Sequence, residues 1–158
     1  MQVKIKKLHP NAIIPRYQTE GASGFDFHAL ESGLIHPGDT VLIRTGLSFK
    51  IPEGYELQIR PRSGLSLKTS LRIANSPGTV DSDFLGEVCI IAWNSMEPLM
   101  KGYDVSEDDR PQLEFKAGDR IAQGVICPIV QAEFEEVEEI EELDKTERGS
   151  KGFGSSGK

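Results

Sequence analysis

At 158 residues, with 37% hydrophobic and 27% charged side chains, the chain has the size and balance of one globular domain with a core of its own. Eighteen lysines and arginines stand against 25 aspartates and glutamates, and the net charge of −7 argues against broad binding to a nucleic-acid backbone. Apolar runs are too short to span a membrane and MQVKIKKLHP has no apolar signal core, so the expected setting is the cytoplasm.

Val3-Lys4-Ile5-Lys6 alternates apolar and basic residues, the pattern of an edge strand. Thr19–Ala29, TEGASGFDFHA, is a Gly-rich turn running into Phe25-Asp26-Phe27. Asp26 has two readings there: a carboxylate solvated or bonded to local amides, or one near a metal-bound phosphate. Pro37-Gly38-Asp39 is a turn before the strand-like TVLIRTGLSF, and Pro52-Glu53-Gly54 is a turn before YELQIR. Short strands separated by Gly/Pro turns predict an all-β sandwich or barrel, with no long amphipathic helix before residue 60.

Pro61-Arg62-Ser63-Gly64-Leu65 combines a guanidinium fork, a hydroxyl and a glycine whose neighbourhood lets backbone N–H groups approach an anion. The plain alternative is a surface turn with a solvated arginine. Ser66–Leu71 fits a short helical turn. The stretch Asn75–Asn94, NSPGTVDSDFLGEVCIIAWN, opens in turn formers, sets Asp81 and Asp83 either side of Ser82 with Phe84 next, and closes in an apolar run, Val88–Trp93, short enough for a buried strand. Such a turn between hydrophobic flanks presents a carboxylate, an aromatic face and open amides in a small space.

Ser95–Lys116 is charged and carries two prolines and a glycine, which reads as a surface insertion. Gly118-Asp119-Arg120 turns into the strand IAQGVICPIV, in which Arg120 and Gln123 are polar among apolar neighbours. In Ala132–Glu147 the apolar residues Phe134, Val137, Ile140 and Leu143 recur every third position, slightly favouring a helix, with the acidic residues as a solvated face. The tail RGSKGFGSSGK approaches the phosphate loop G-x-x-x-x-G-K-[ST] but lacks its final Ser/Thr and following helix. It is either a flexible Gly/Ser tail or a phosphate-cradling arm of glycine amides, serine hydroxyls, Arg148 and Lys151 around one aromatic. Cys89 and Cys127 sit in apolar stretches, predicting buried free thiols rather than a disulfide or metal site.

Taken together and in order, ASGFD, PRSGL, NSPGTVDSDF, GDRIAQG and RGSKGFGSSG resemble the homotrimeric dUTP pyrophosphatase (dUTPase) family over nearly the whole chain. The resemblance implies an all-β, distorted β-barrel or jelly-roll domain over residues 1–147, trimeric, with a flexible C-terminal lid arm over 148–158. It also implies Mg²⁺-dependent hydrolysis of dUTP to dUMP and pyrophosphate, keeping uracil out of DNA and supplying dUMP for dTMP synthesis. Asp81 would be the general base for the attacking water, and Asp26 would reach Mg²⁺ through metal-bound water. Arg62, Ser63, Gly64, Gln123, Arg148, Lys151, Gly152, Gly154 and Ser155 would hold the phosphates, and Phe153 would cover the base. Asn75, Gly78 and Val80 would meet the uracil, and Phe84, where many members carry tyrosine, would pack under the deoxyribose. For 132–147 the family implies extended chain instead of helix. The insertion before GDRIAQG departs from the family pattern.

Two alternatives stand beside the function that this resemblance implies. A deoxycytidine triphosphate deaminase of the same superfamily needs a proton-shuttling carboxylate at the base, and no segment matches that site. A nucleotide-binding module signalling through Ser95–Lys116 would bind without releasing pyrophosphate.

Overall fold

The computed structural model describes residues 1–96, 112–137 and 151. Among them the strands are β1 (Lys4–Lys7), β2 (Phe25–His28), β3 (Gly33–Ile35), β4 (Thr40–Arg44), β5 (Leu47–Lys50), β6 (Tyr55–Arg60), β7 (Leu71–Ile73), β8 (Gly78–Val80), β9 (Cys89–Asn94), β10 (Leu113–Phe115) and β11 (Arg120–Pro128). A single short helix, α1 (Ser63–Lys68), interrupts them. The all-β expectation holds. These strands pair as four antiparallel sheets, β1-β5, β10-β3, β2-β11-β6-β8 and β4-β9-β7, rather than as one closed barrel.

The core lies between the sheets. Phe25 and Phe27 of β2 meet Phe49 of β5, with ring centroids 5.5 to 6.2 Å apart, and Phe27 and Phe49 are essentially inaccessible to water. Aromatic burial of this kind supplies much of the driving force for collapse. Because Phe25 and Phe27 face inward, the intervening Asp26 must emerge on the opposite face of β2.

Several local expectations shift. TVLIRTGLSF is two strands, broken at Thr45 and at Gly46, whose φ of +69° favours glycine. The helical turn runs over Ser63–Lys68 rather than Ser66–Leu71, because Leu71 is taken into β7 opposite Asn94 of β9. Thr69 closes the helix, its Oγ1 donating to the Leu65 carbonyl at 2.7 Å. The run Val88–Trp93 is not buried on both sides: Ile90 and Ala92 are in the core, whereas Ile91 and Trp93 share an open face with Leu42. Period-two alternation with one covered face explains this, since β4 and β7 flank β9 at its edges and leave that face uncovered.

The far end of the expected insertion is not a loop, for Leu113–Phe115 pairs with Gly33–Ile35. Residues 97–111 of it lie outside the described residues. Residues 129–137 carry no helix, against the three-residue apolar spacing, and 138–147 lie outside the described residues. Cys89 and Cys127 are free, as expected, but only partly buried. Among the described residues no helix is long and apolar enough to cross a membrane.

Candidate active site

The turn formers of residues 74–77 bring β8 back beside β6. Ala74 N–H donates to the Ile91 carbonyl at 2.9 Å, the Ser76–Pro77 peptide is cis, and Gly78 then pairs opposite Ile59. After β8 the chain turns again, with Phe84 N–H donating to the Asp81 carbonyl at 3.2 Å. Between these turns lies a cavity of about 360 Å³ walled by Ile59, Asn75, Gly78, Val80, Asp81 and Phe84, with Leu42, Cys89 and Ile91 completing its apolar side. A mostly apolar recess with a few convergent polar groups is the usual form of a small-molecule site. Asp81 is exposed at its edge.

Two glycines shape this recess through close approach. A Cβ on Gly78 would stand 2.9 Å from Asn75 Nδ2 and 3.3 Å from Ile59 Cβ, so only glycine lets the Asn75 amide lie against β8. A Cβ on Gly86 would stand 2.6 Å from Phe84 Cζ, so the Phe84 ring rests on the Gly86 backbone.

Cys89 lines the same cavity. Burial, and then the negative charge of Glu87, raises its thiol above the ordinary cysteine value, partly opposed by Arg44. Only the thiolate is alkylated, and at fixed pH its fraction falls as the pKa rises. In a Cys127→Ser background, iodoacetamide should therefore modify Cys89 more slowly at pH 8 than it modifies an unhindered cysteine, with the rate still climbing where a free thiol has levelled off. A rate at pH 8 equal to that of a free thiol would contradict this.

A second group is charged and lies on the outer face of the β2-β11-β6 pairing. Asp26, only 8% exposed, accepts Arg62 Nε on Oδ1 at 2.8 Å and Arg120 Nη1 on Oδ2 at 3.2 Å. Arg62 Nη1 also donates to the Arg120 carbonyl at 2.9 Å, which spans the start of β11. Gln123 donates from Nε2 to the Pro61 carbonyl at 2.7 Å and so fixes the segment that carries Arg62 and Ser63. Register places Gln123 opposite Asp26 on one side and Arg60 on the other. His28, two residues along the same face of β2, is held below its ordinary pKa first by burial and then by Arg120 and Arg62, against the pull of Asp26. Its Nδ1 has no hydrogen-bond partner among the described residues.

The donor set bears on metal chemistry. Among the described residues no three His, Cys, Asp or Glu side chains converge, and both oxygens of Asp26 already accept guanidinium N–H groups. That excludes an all-protein cage from these residues but fits Mg²⁺, which keeps several waters and is commonly bound by one carboxylate together with substrate phosphates.

The structure thus brings Asn75, Gly78, Val80, Asp81 and Phe84 together on one cavity, and Asp26, Arg62 and Gln123 in one charge cluster, with Ser63 and Gly64 opening α1 beside it. It does not join the two groups: Asp26, Arg62, Ser63 and Gln123 are not among the residues walling the cavity. Arg148, Gly152, Phe153, Gly154 and Ser155 lie outside the described residues, and Lys151 is exposed. Sequence reasoning missed Gly86, Glu87 and Cys89 as parts of the cavity and its rim. Gly86 and Glu87 follow Phe84 directly, but nothing in their spacing reveals what they rest against.

The dUTPase family profile matches residues 10–157. The chain belongs to the dUTPase family. It is 49% identical over 158 residues to a deoxyuridine 5′-triphosphate nucleotidohydrolase of Nautilia profundicola, covering 100% of both chains. Among solved structures, the dUTPase of Staphylococcus bacteriophage 80alpha with dUPNHPP is similar over 99% of each chain, at 33% identity and a TM-score of 0.85. A mutant dUTPase from phage phi11 of S. aureus, solved for the coordination of a structural Mg(II) ion, is similar over 89% of this chain and 99% of its own, at 30% identity and a TM-score of 0.78. Membership places the cavity beside Asp81 and the arginine cluster in a dUTPase fold.

Proposed function

We propose that the protein hydrolyses dUTP to dUMP and pyrophosphate in the cytoplasm, by attack of water on the α-phosphorus with Asp81 as general base. The observation that carries this reading is the cavity itself, where one turn-strand-turn segment gathers Asn75, Gly78, Val80, Asp81 and Phe84 around a space of nucleoside size. Asn75 and the backbone at Gly78 and Val80 hydrogen-bond the uracil edge, and cytosine then leaves buried groups unpaired. The Phe84 ring packs under the deoxyribose. Asp81 orients a water at the edge of the recess and takes its proton as the bond to phosphorus forms.

The phosphates require a separate clamp, since pyrophosphate leaves with developing negative charge. Arg62 spends Nε on Asp26 and Nη1 on the Arg120 carbonyl, and a guanidinium has five N–H donors, so others serve a phosphate while Asp26 and Gln123 hold the fork in place. Ser63 and Gly64 add a hydroxyl and a backbone N–H. Asp26 would hold Mg²⁺ through water, and the metal would supply charge neutralisation for the leaving phosphates.

The absence of Asp26, Arg62, Ser63 and Gln123 from the cavity walls supports a site shared between copies, as in a homotrimer, where the arginine cluster of one subunit faces the nucleoside recess of another. The open face bearing Leu42, Ile91 and Trp93, 63%, 36% and 39% exposed, adds to this. On this reading residues 1–147 form the domain and 148–158 a lid arm, with Arg148, Lys151, Gly152, Gly154 and Ser155 on the phosphates and Phe153 over the base. Deleting 148–158 should then lower turnover of dUTP at least a hundredfold with the melting temperature unchanged, since the lost contacts act on bound nucleotide. Full activity in the truncated protein would remove the lid role.

The reading is tested by incubating the protein and Mg²⁺ with dUTP, dTTP, dCTP or UTP and measuring pyrophosphate and ammonia. Pyrophosphate from dUTP alone is expected. Ammonia from dCTP would instead indicate a deaminase, and binding without release of either product a nucleotide-binding module. Gly78→Ala gives a finer check: the new Cβ forces the Asn75 amide away, and loss of one base hydrogen bond should raise the KM for dUTP about tenfold with kcat little changed. An unchanged KM would remove Asn75 from base recognition.

A further inference from the structure

We propose that Ser48, Gly86 and Glu87 act as positioning residues that set the height of the Phe84 ring, and with it the discrimination between deoxyribose and ribose. The inference rests on the dUTP-hydrolase reading above and assigns to three residues at the rim and floor of the recess the role of holding the Phe84 loop in place.

Phe84 is 45% exposed, so no enclosing core holds its ring. Its floor is the Gly86 backbone, which the ring tip approaches so closely that any Cβ there would fall within 2.6 Å of Cζ. What fixes that floor is the corner between β4 and β5, two strands that carry none of the substrate residues. Ser48 Oγ donates to the Leu85 carbonyl at 2.8 Å, on one side of Gly86. On the other side Glu87 accepts the Gly46 N–H on Oε1 at 2.7 Å and Arg44 Nε on Oε2 at 3.1 Å. Val88 N–H donates to the Leu47 carbonyl at 2.8 Å, and Thr45 Oγ1 donates to the Val88 carbonyl at 2.5 Å. The other end of the loop is closed by the Phe84 N–H on the Asp81 carbonyl.

The segment from Leu85 to Val88 is therefore tied at Leu85, Glu87 and Val88 to the buried residues Thr45, Gly46, Leu47 and Ser48, whereas the ring it supports projects into an open recess. Ser48 is 7% exposed and the Glu87 side chain 19%, so solvent weakens these contacts less than it would a surface pair. A ring whose height is fixed on one side only transmits any movement of its floor to the ligand. Contact energy falls off over fractions of an ångström, and exclusion of a 2′-hydroxyl is a matter of clearance on that scale.

The test compares wild type with Gly86→Ala, Glu87→Ala, Glu87→Gln and Ser48→Ala, and with Ile35→Val as a core variant remote from the loop. For each, kcat/KM is measured for dUTP and for UTP, together with the affinities for dUMP and UMP by calorimetry and the melting temperature. The dUTP:UTP ratio of kcat/KM should fall about tenfold in Gly86→Ala and in Glu87→Ala, on the scale of a misfit of one carbon in a binding wall, and the dUMP:UMP affinity ratio should fall with it. Glu87→Gln, whose amide oxygen still accepts from Gly46, should recover most of the ratio, and Ser48→Ala should show a smaller loss. Ratios unchanged in Gly86→Ala and Glu87→Ala, with melting temperatures falling as in Ile35→Val, would overturn the proposal and leave these residues a structural role alone. A wild-type protein that releases no pyrophosphate from dUTP would overturn the hydrolase reading instead, which the wild-type arm shows before any variant is compared.

Discussion

Asp81→Asn is expected to lower kcat for dUTP by about 10²- to 10⁴-fold while leaving the affinity for a non-hydrolysable dUTP analogue within about twofold, the range lost when a positioned general base is removed. Asparagine has the size and polarity of aspartate but cannot accept the water's proton at neutral pH. The turn itself should survive, because it is closed through the main chain, by the Phe84 N–H on the Asp81 carbonyl, and the side chain is exposed. Stability should accordingly change by no more than about 0.5 kcal/mol, as at other exposed positions. Single-turnover kinetics with a parallel binding titration separates the two effects. Turnover equal to wild type would remove Asp81 as the base and direct attention to another carboxylate on the same turn, Asp83.

The second large effect is expected at Asp26, and it should reach both stability and activity. In Asp26→Ala two guanidinium groups lose the carboxylate that lies 2.8 Å from one and 3.2 Å from the other, and they are left as neighbouring like charges. Breaking a fully buried pair from one side costs about 3–5 kcal/mol, but the arginine side chains here are 25% and 48% exposed, so the expected loss is about 2 kcal/mol. Among the described residues Arg62 then keeps only its bond to the Arg120 carbonyl and can swing, and misplacement of a phosphate-binding fork by about 1 Å can cost 10²-fold in rate. Asp26→Asn keeps an acceptor for Arg62 Nε and should recover much of the stability. It removes the carboxylate charge, however, so half-maximal activity should need more Mg²⁺ than in wild type. Denaturant unfolding and a Mg²⁺ titration of turnover check the two halves. A variant with wild-type stability and wild-type Mg²⁺ dependence would show that the cluster neither braces Arg62 nor meets the metal.

Both predictions begin from residues visible in the sequence, yet the structure is needed to say why they matter. Asp26 was legible as an acid beside a Gly-rich turn, and Arg62 and Arg120 as cations in separate segments. That one carboxylate holds both guanidinium groups follows from register, with β11 lying between β2 and β6 and Gln123 opposite Asp26 and Arg60 together. The recess around Asp81 was legible as a local motif because Asn75, Gly78, Val80, Asp81 and Phe84 lie within ten residues of one another. Its far wall was not. Leu42 and Cys89 reach it through the pairing of β4 with β9, a contact between strands more than forty residues apart in the chain.

Where local pattern misled, a tertiary partner had outweighed it. The run Val88–Trp93 is apolar at nearly every position, which hides the alternation that a single covered face imposes, and only the placement of the β4-β9-β7 sheet shows which residues stay open. Leu71 has no local reason to leave a helix. It does so because pairing with β9 and burial to 4% exposure outweigh the last turn of a six-residue helix.

By itself, then, the sequence determined the all-β class, the Gly/Pro turn positions and the family membership, and it nominated the residues proposed above as the base and the phosphate clamp. These depend on residue type and short-range order, which are written directly in the chain. Only the tertiary structure decided that the recess around Asp81 and the arginine cluster are separate, that Asp26 pairs with two arginines at once, and that the β4-β5 corner carries the floor beneath Phe84. Those follow from strand pairings between distant segments, whose register is set by burial of the whole core and leaves no local mark.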